Sequence, residues 1–143
     1  MPYPEMFIAP MRGELTEIGA RELRTAEAVD DQLAQRGTVL LVVNSVCGCA
    51  AGKARPGLAM ALRHQTKPDV LATVFAGADI DATARARERM APYPPSSPSI
   101  GLFRDGKLVW MMERREIEGR DAQAISEHLT LAFDQHCNPG VRS

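Results

Sequence analysis

The chain has 143 residues, the length of one ordinary domain able to bury a real core. Apolar residues make up 45% and charged residues 24%, a globular composition rather than a disordered one. A net charge of −1 argues against a general nucleic-acid or acidic-membrane binder, and no apolar run is long enough to span a bilayer.

The opening Met1-Pro2-Tyr3-Pro4-Glu5 has neither a basic stretch nor an apolar one behind it, so no secretory signal is read and a cytoplasmic location is expected. Three cysteines in such a compartment do not suggest a disulfide framework. A close pair, Cys47 and Cys49, plus a remote Cys137 points to redox chemistry or metal binding. Cys137 reads either as a small buried hydrophobe or as part of a tail.

In chain order, residues 1–20 form an N-terminal extension with Pro2, Pro4 and Pro10, and a helical turn or two around Met11–Ile18. Arg21–Arg24 reads as a short edge strand. Thr25 caps a helix over Ala26–Gln35, with Val29 and Leu33 on its apolar stripe and Gly37 as its stop. Thr38–Val43 is an unbroken, β-branched run and predicts a strand covered on both faces. The segment from Val46 to about Gln65 becomes helical, with Pro56 bending it. Val70–Phe75 is a second buried strand. Ala82–Met90 is a short basic helix capped by Asp79 or Asp81.

A stiff loop, Ala91-Pro92-Tyr93-Pro94-Pro95-Ser96-Ser97-Pro98, leads into Ser99–Phe103 and Lys107–Met112. Asp105-Gly106 between these two runs predicts a hairpin. Arg114 and Arg115 read as a charged loop. Asp121 starts a last helix through about Gln135 that buries Ile125, Leu129, Ala132 and Phe133. Residues 138–143 are expected to be a disordered tail. Strands separated by helices imply parallel pairing and the hairpin adds antiparallel pairing, so the expected fold class is α/β, a mixed central sheet with helices on both faces in a single domain.

Cys47-Gly48-Cys49 directly follows the first buried strand. A thiol delivered to the start of a helix meets free backbone N–H groups and the positive end of the helix dipole, both of which favour the thiolate. Lys53 and Arg55 lie within two turns and could add positive potential, although solvated-face use is the ordinary reading of each. Residues two apart on a helix point to nearly opposite sides, so Cys47 and Cys49 join only if the first turn opens, which Gly48 permits. A strained, relatively oxidising couple is expected from this spacing.

The element order, the thiol pair after a central strand, the proline-bent helix and Ser97-Pro98 before a hairpin strand resemble the thioredoxin fold. Within it, the string Asn44-Ser45-Val46-Cys47-Gly48-Cys49-Ala50-Ala51-Gly52-Lys53-Ala54-Arg55-Pro56 resembles the bacilliredoxin family. Pro94-Pro95-Ser96-Ser97-Pro98-Ser99 and Glu116-Ile117-Glu118-Gly119 extend that resemblance to nearly the whole chain. It implies a thiol–disulfide oxidoreductase that removes bacillithiol from protein mixed disulfides. Cys47 would attack and Cys49 would resolve, with Gly48, Ser97 and Pro98 in support and Ser97-Pro98 in the cis form. The implied partners are bacillithiolated client proteins and a low-molecular-weight thiol, with bacillithiol as co-substrate and no resident cofactor. Arg114 and Arg115 are candidates for its carboxylates, a charged loop being the plainer use of both.

Two departures stand out. Val46 occupies the position of the tryptophan that precedes the thioredoxin motif, and no acidic residue occurs in Thr38–Val46 to accept a proton. Two rival functions remain, a general disulfide isomerase or reductase of thioredoxin type, and a soft-metal site made from Cys47, Cys49, Cys137 and one of His64, His128 or His136. Substrate-binding residues and the oligomeric state are left open by the sequence.

Overall fold

Residues 3–137 are described here from a computed structural model. The expected tail at 138–143 lies outside the described residues. A five-stranded mixed sheet runs in the order β1-β3-β2-β4-β5. Its strands are β1 (Arg21–Glu22), β2 (Thr38–Asn44), β3 (Val70–Phe75), β4 (Ser99–Arg104) and β5 (Lys107–Met112).

Every residue of β2 is buried, as a central strand of β-branched and aliphatic residues requires. It pairs in parallel with β3 from Val39↔Val70 to Asn44↔Phe75, and antiparallel with β4 from Thr38↔Arg104 to Val43↔Ser99. Alternation along β2 then divides the core in two. Leu40 and Val42 join Leu58, Ile125, Leu129 and Phe133 on one face; Val39, Leu41 and Val43 join Val29, Leu33, Ala82 and Ala86 on the other.

Helix α1 (Glu5–Thr16) covers three turns where the sequence suggested one or two. Its Pro10 lacks an N–H for the helical ladder, which is why the segment reads as broken. Ile8, Arg12 and Leu15, spaced along one face, are buried and hold it together. Arg12 is the deeper reason. Its guanidinium donates to both Asp79 oxygens, at 2.9 and 2.7 Å, and also reaches Glu5 and Glu22. Asp79 therefore does not cap the next helix through its side chain, as the sequence allowed, but holds Arg12 and the Phe75 N–H.

Helix α2 (Ala26–Leu33) is capped by Thr25, whose hydroxyl accepts from the Ala28 N–H at 3.0 Å. Gly37, at a φ of 102°, turns the chain into β2. Helix α4 (Ile80–Arg89) lies with α2 on one face of the sheet. At the hairpin tip Asp105 and Gly106 take φ of 50° and 84°, the paired positive values that the Asp-Gly sequence predicts. The segment after β5 is a short helix, α5 (Arg114–Glu118), where a charged loop was expected. Glu113 and Glu116 close it reciprocally as a capping box. Helix α6 (Ala122–His136) starts at Asp121 as expected and packs on α3 (Arg55–Ala61).

Candidate active site

Strand β2 ends at Asn44 and the chain bends through Val46 and Cys47 before helical geometry begins at Gly48. The Cys47 carbonyl accepts from Ala50 N–H at 2.9 Å and Ala51 N–H at 3.2 Å, so Cys47 stands where the N-cap of this turn belongs. Its sulfur does what a capping oxygen does elsewhere, accepting the Cys49 N–H at 3.4 Å. The Cys47 N–H in turn donates to Ser45 Oγ at 2.9 Å.

Because Cys47 precedes the helix, the opposite-sides rule does not govern the pair. The backbone bond from the Cys49 N–H holds the two residues together, and each thiol shifts the ionisation of the other, Cys49 lowering Cys47 and Cys47 raising Cys49. Gly48 is exposed and a Cβ there would meet nothing within 4 Å, so steric room is not what selects glycine at this position.

The electrostatics of the pair are asymmetric. The Cys49 backbone N–H, then the Cys49 thiol and the charge of Arg114, hold the Cys47 thiol below the ordinary cysteine range against the cost of its desolvation. Burial first, then the neighbouring Cys47 thiol and the nearby negative charges of Cys47 and Glu118, push Cys49 upward. One sulfur is therefore prepared as a thiolate while the other holds the proton.

Beyond Cys49 the helix widens into a π-turn, Ala50–Ala54, closed by the Arg55 N–H on the Ala50 carbonyl. Pro56 explains it. In a regular α-helix the proline ring would press on the carbonyl four residues back, and the wider turn makes room. The bend expected at Pro56 is thus taken up ahead of it, directly behind the cysteines.

The sequence reading placed Lys53 and Arg55 on a solvated face; Lys53 stays half-exposed, while the structure buries Arg55. Lys53 Nζ donates to the Glu118 carbonyl, strapping α5 to the π-turn. Arg55 is only 4% exposed and forms the base of the motif. It donates to Glu14 at 2.9 Å, to Asn44 Oδ1 at 3.0 Å and to the Ser45 carbonyl at 3.1 Å. Asn44 also accepts the Ser45 N–H at 2.9 Å and donates to the Met11 carbonyl at 3.2 Å. A buried polar chain therefore runs from α1 through Arg55, Asn44 and Ser45 to the Cys47 N–H.

The pairing of Ser99 with Val43 brings the preceding Ser97-Pro98 to the same end of the sheet as the cysteines. The Ser97-Pro98 bond is cis, as is Ala91-Pro92, and Pro98 is buried. Arg114 closes this side. Its Nη1 donates to the Ser97 carbonyl at 3.2 Å, its Nε to Glu118 at 2.7 Å, and its backbone N–H to Ser96 Oγ at 3.4 Å. The sequence offers Arg114 as a candidate for carboxylates but reads it more plainly as a loop residue. Its signal was the Glu113/Glu116 capping pattern, which fixes a helix at that point.

The soft-metal alternative is not assembled. Among the described residues no group of three or more His, Cys, Asp or Glu is placed to hold a metal ion. Cys137 ends α6 in the core among Phe133, Leu129 and Ala54, and His64 pairs with Asp134 at 2.9 Å.

A mixed sheet with a thiol pair at the end of its central strand, faced by a proline loop, defines a thiol–disulfide oxidoreductase of thioredoxin fold. Thioredoxin of Fasciola hepatica superposes with a TM-score of 0.54 at 17% identity, covering 79% of this chain and 98% of that one. The chain matches the model of the disulphide isomerase family over residues 3–137. It is 58% identical over 136 residues to a bacilliredoxin of Koribacter versatilis, covering 94% of each chain. A bacilliredoxin of Cytophaga hutchinsonii is 52% identical, covering 93% of this chain and 98% of that one. The chain belongs to the bacilliredoxin family.

Proposed function

We infer that this oxidoreductase removes bacillithiol from protein mixed disulfides, with Cys47 attacking and Cys49 resolving. The single observation that carries the role assignment is the asymmetry of the pair, a Cys47 sulfur that accepts the Cys49 N–H and is shifted towards the thiolate, beside a Cys49 thiol that burial shifts the other way. The choice of bacillithiol as the small thiol is supported by the two relatives at 58% and 52% identity, both bacilliredoxins.

The reaction balances in two exchanges. The Cys47 thiolate attacks the bacillithiol sulfur of the mixed disulfide, forming Cys47–S–S–bacillithiol and releasing the client as its thiolate. Cys49, once deprotonated, attacks the Cys47 sulfur, forming the Cys47–Cys49 disulfide and releasing the bacillithiol thiolate. A thiol reductant then returns the pair to the dithiol.

The test offers a bacillithiolated client to wild type, Cys47→Ala and Cys49→Ala, read by mass spectrometry. Full removal is expected for wild type, none for Cys47→Ala, and an accumulated adduct on Cys47 for Cys49→Ala. Activity surviving in Cys47→Ala would reverse the two roles. Equal turnover of a glutathionylated client would favour the general isomerase or reductase reading instead.

A further inference from the structure

Arg114 sits between the two walls of the cysteine site. Nη1 holds the Ser97 carbonyl of the proline loop. The helix it begins is strapped to the π-turn through Lys53 and the Glu118 carbonyl. Its charge is felt by both Cys47 and Cys49. The side chain is nevertheless 44% exposed, and among the described residues nothing takes a hydrogen bond from Nη2.

The other cations near the motif are engaged differently. Lys53 is spent on a backbone carbonyl, Arg55 is buried under the motif, and Arg115 is 83% exposed and turned to Glu113. Arg114 alone of these four combines an accessible fork with a position at the thiols. That fork is already half filled by a carboxylate, Glu118, one turn along the same helix. A guanidinium recognises carboxylates bidentately, and an internal carboxylate there marks the chemistry that the place accepts.

We propose that Arg114 seats a carboxylate of the small thiol while that thiol is disulfide-bonded to Cys47, and that Glu118 fills the seat until it arrives. The proposal rests on Cys47 being the residue that carries the small thiol. It adds that an anionic thiol is preferred over a neutral one, and that Arg114 is a specificity residue as well as an electrostatic neighbour of the thiolate. The chemistry is one exchange: the Cys47 thiolate attacks the disulfide of the oxidised small thiol, one half bonds to Cys47 and the other leaves as thiolate.

The experiment uses the Cys49→Ala protein, so that the adduct on Cys47 persists. It is equilibrated with the disulfides of N-acetylcysteine and of N-acetylcysteine amide, which differ at the carboxyl group. Occupancy of Cys47 by each is read by mass spectrometry of the motif peptide. With Arg114 present the carboxylate thiol should be favoured by about three- to tenfold, the range of a half-exposed charge-assisted pair. Arg114→Gln should collapse that ratio towards one, Arg114→Lys should restore part of it, and Glu118→Gln should raise it by removing the internal competitor.

The ratio separates this role from mere tuning of the sulfur, since a changed thiol pKa alters both adducts together. Equal occupancy by the two thiols, or a ratio indifferent to Arg114→Gln, would overturn the specificity role while leaving Cys47 as the carrier. No adduct on Cys47 with either thiol would overturn the carrier role itself, and this proposal with it.

Discussion

Arg55→Met tests whether the motif rests on a built base. The substitution keeps most of the buried volume and removes the charge together with three hydrogen bonds, to Glu14, Asn44 and Ser45. Glu14 is half exposed and can turn to water, so its loss is small. Asn44 Oδ1 keeps the Ser45 N–H, but the Ser45 carbonyl loses the Arg55 bond in a buried setting. Hydrogen bonds to a charged group contribute about 1.5–3 kcal/mol each and an orphaned buried acceptor costs about 1–3 kcal/mol. With the Glu14 bond discounted and the methionine packing in place, the net loss should be about 2–4 kcal/mol. For a chain of this size that corresponds to a melting temperature lower by roughly 6–12 °C. Thermal unfolding of the reduced protein measures it. Alkylation of Cys47 across pH should report an upward move in its midpoint as the turn loosens. A melting temperature within about 2 °C of wild type, with the Cys47 midpoint unmoved, would refute the idea that Arg55 supports the thiol.

The Cys47 thiol is shifted below the ordinary cysteine range, so its alkylation rate should have its midpoint at lower pH than that of an ordinary cysteine and fall away as pH drops through that lowered pKa; a midpoint at or above the ordinary value would refute it. Cys49→Ala should move that midpoint upward by removing the second thiol, yet leave it below an ordinary cysteine because the backbone N–H remains; an unmoved midpoint would show that the side chain contributes nothing. Gly57→Ala would place a Cβ 2.7 Å from Ile125 Cγ2 and 3.1 Å from the Ala122 carbonyl, where α3 crosses α6. It should cost about 1–3 kcal/mol in denaturant unfolding, and a neutral result would mean the two helices separate easily. Asp79→Ala leaves Arg12 buried without its bidentate partner and should cost about 3–5 kcal/mol. Hydrogen exchange should then show α1 losing protection before the sheet does, and uniform loss would argue that α1 is not separately anchored.

The strands were legible because their signals are local. A β-branched run gives β2, an Asp-Gly pair gives the hairpin, and Thr25 and Asp121 announce their helices by side-chain chemistry alone. What failed to show depends on contacts between distant residues. Pro10 argues against a helix until Arg12 is seen on Asp79, 67 residues away. Arg55 reads as a solvated charge until Asn44 and Glu14 are seen to enclose it. Even so, one local signal was overlooked, the Glu113-Arg114-Arg115-Glu116 capping pattern that makes a helix of the supposed loop. At the site, the thiol pair was evident from its place after a strand. Its hydrogen-bonded geometry was not, because the sequence does not fix where the helix begins, and that decides whether Cys47 lies within the helix or caps it and accepts the Cys49 N–H.

The polar chain beneath Cys47 has an evolutionary and engineering consequence. Two of its anchors, the Met11 carbonyl and the Glu14 carboxylate, come from α1, a helix that contributes no strand and that the sheet order does not require. A chain begun at Arg21 would retain all five strands and both motif cysteines. It would surrender the ties that steady the start of the motif. The reactivity of the thiol is thus partly on loan from a segment outside the sheet, and trimming towards the shortest foldable version would forfeit it first.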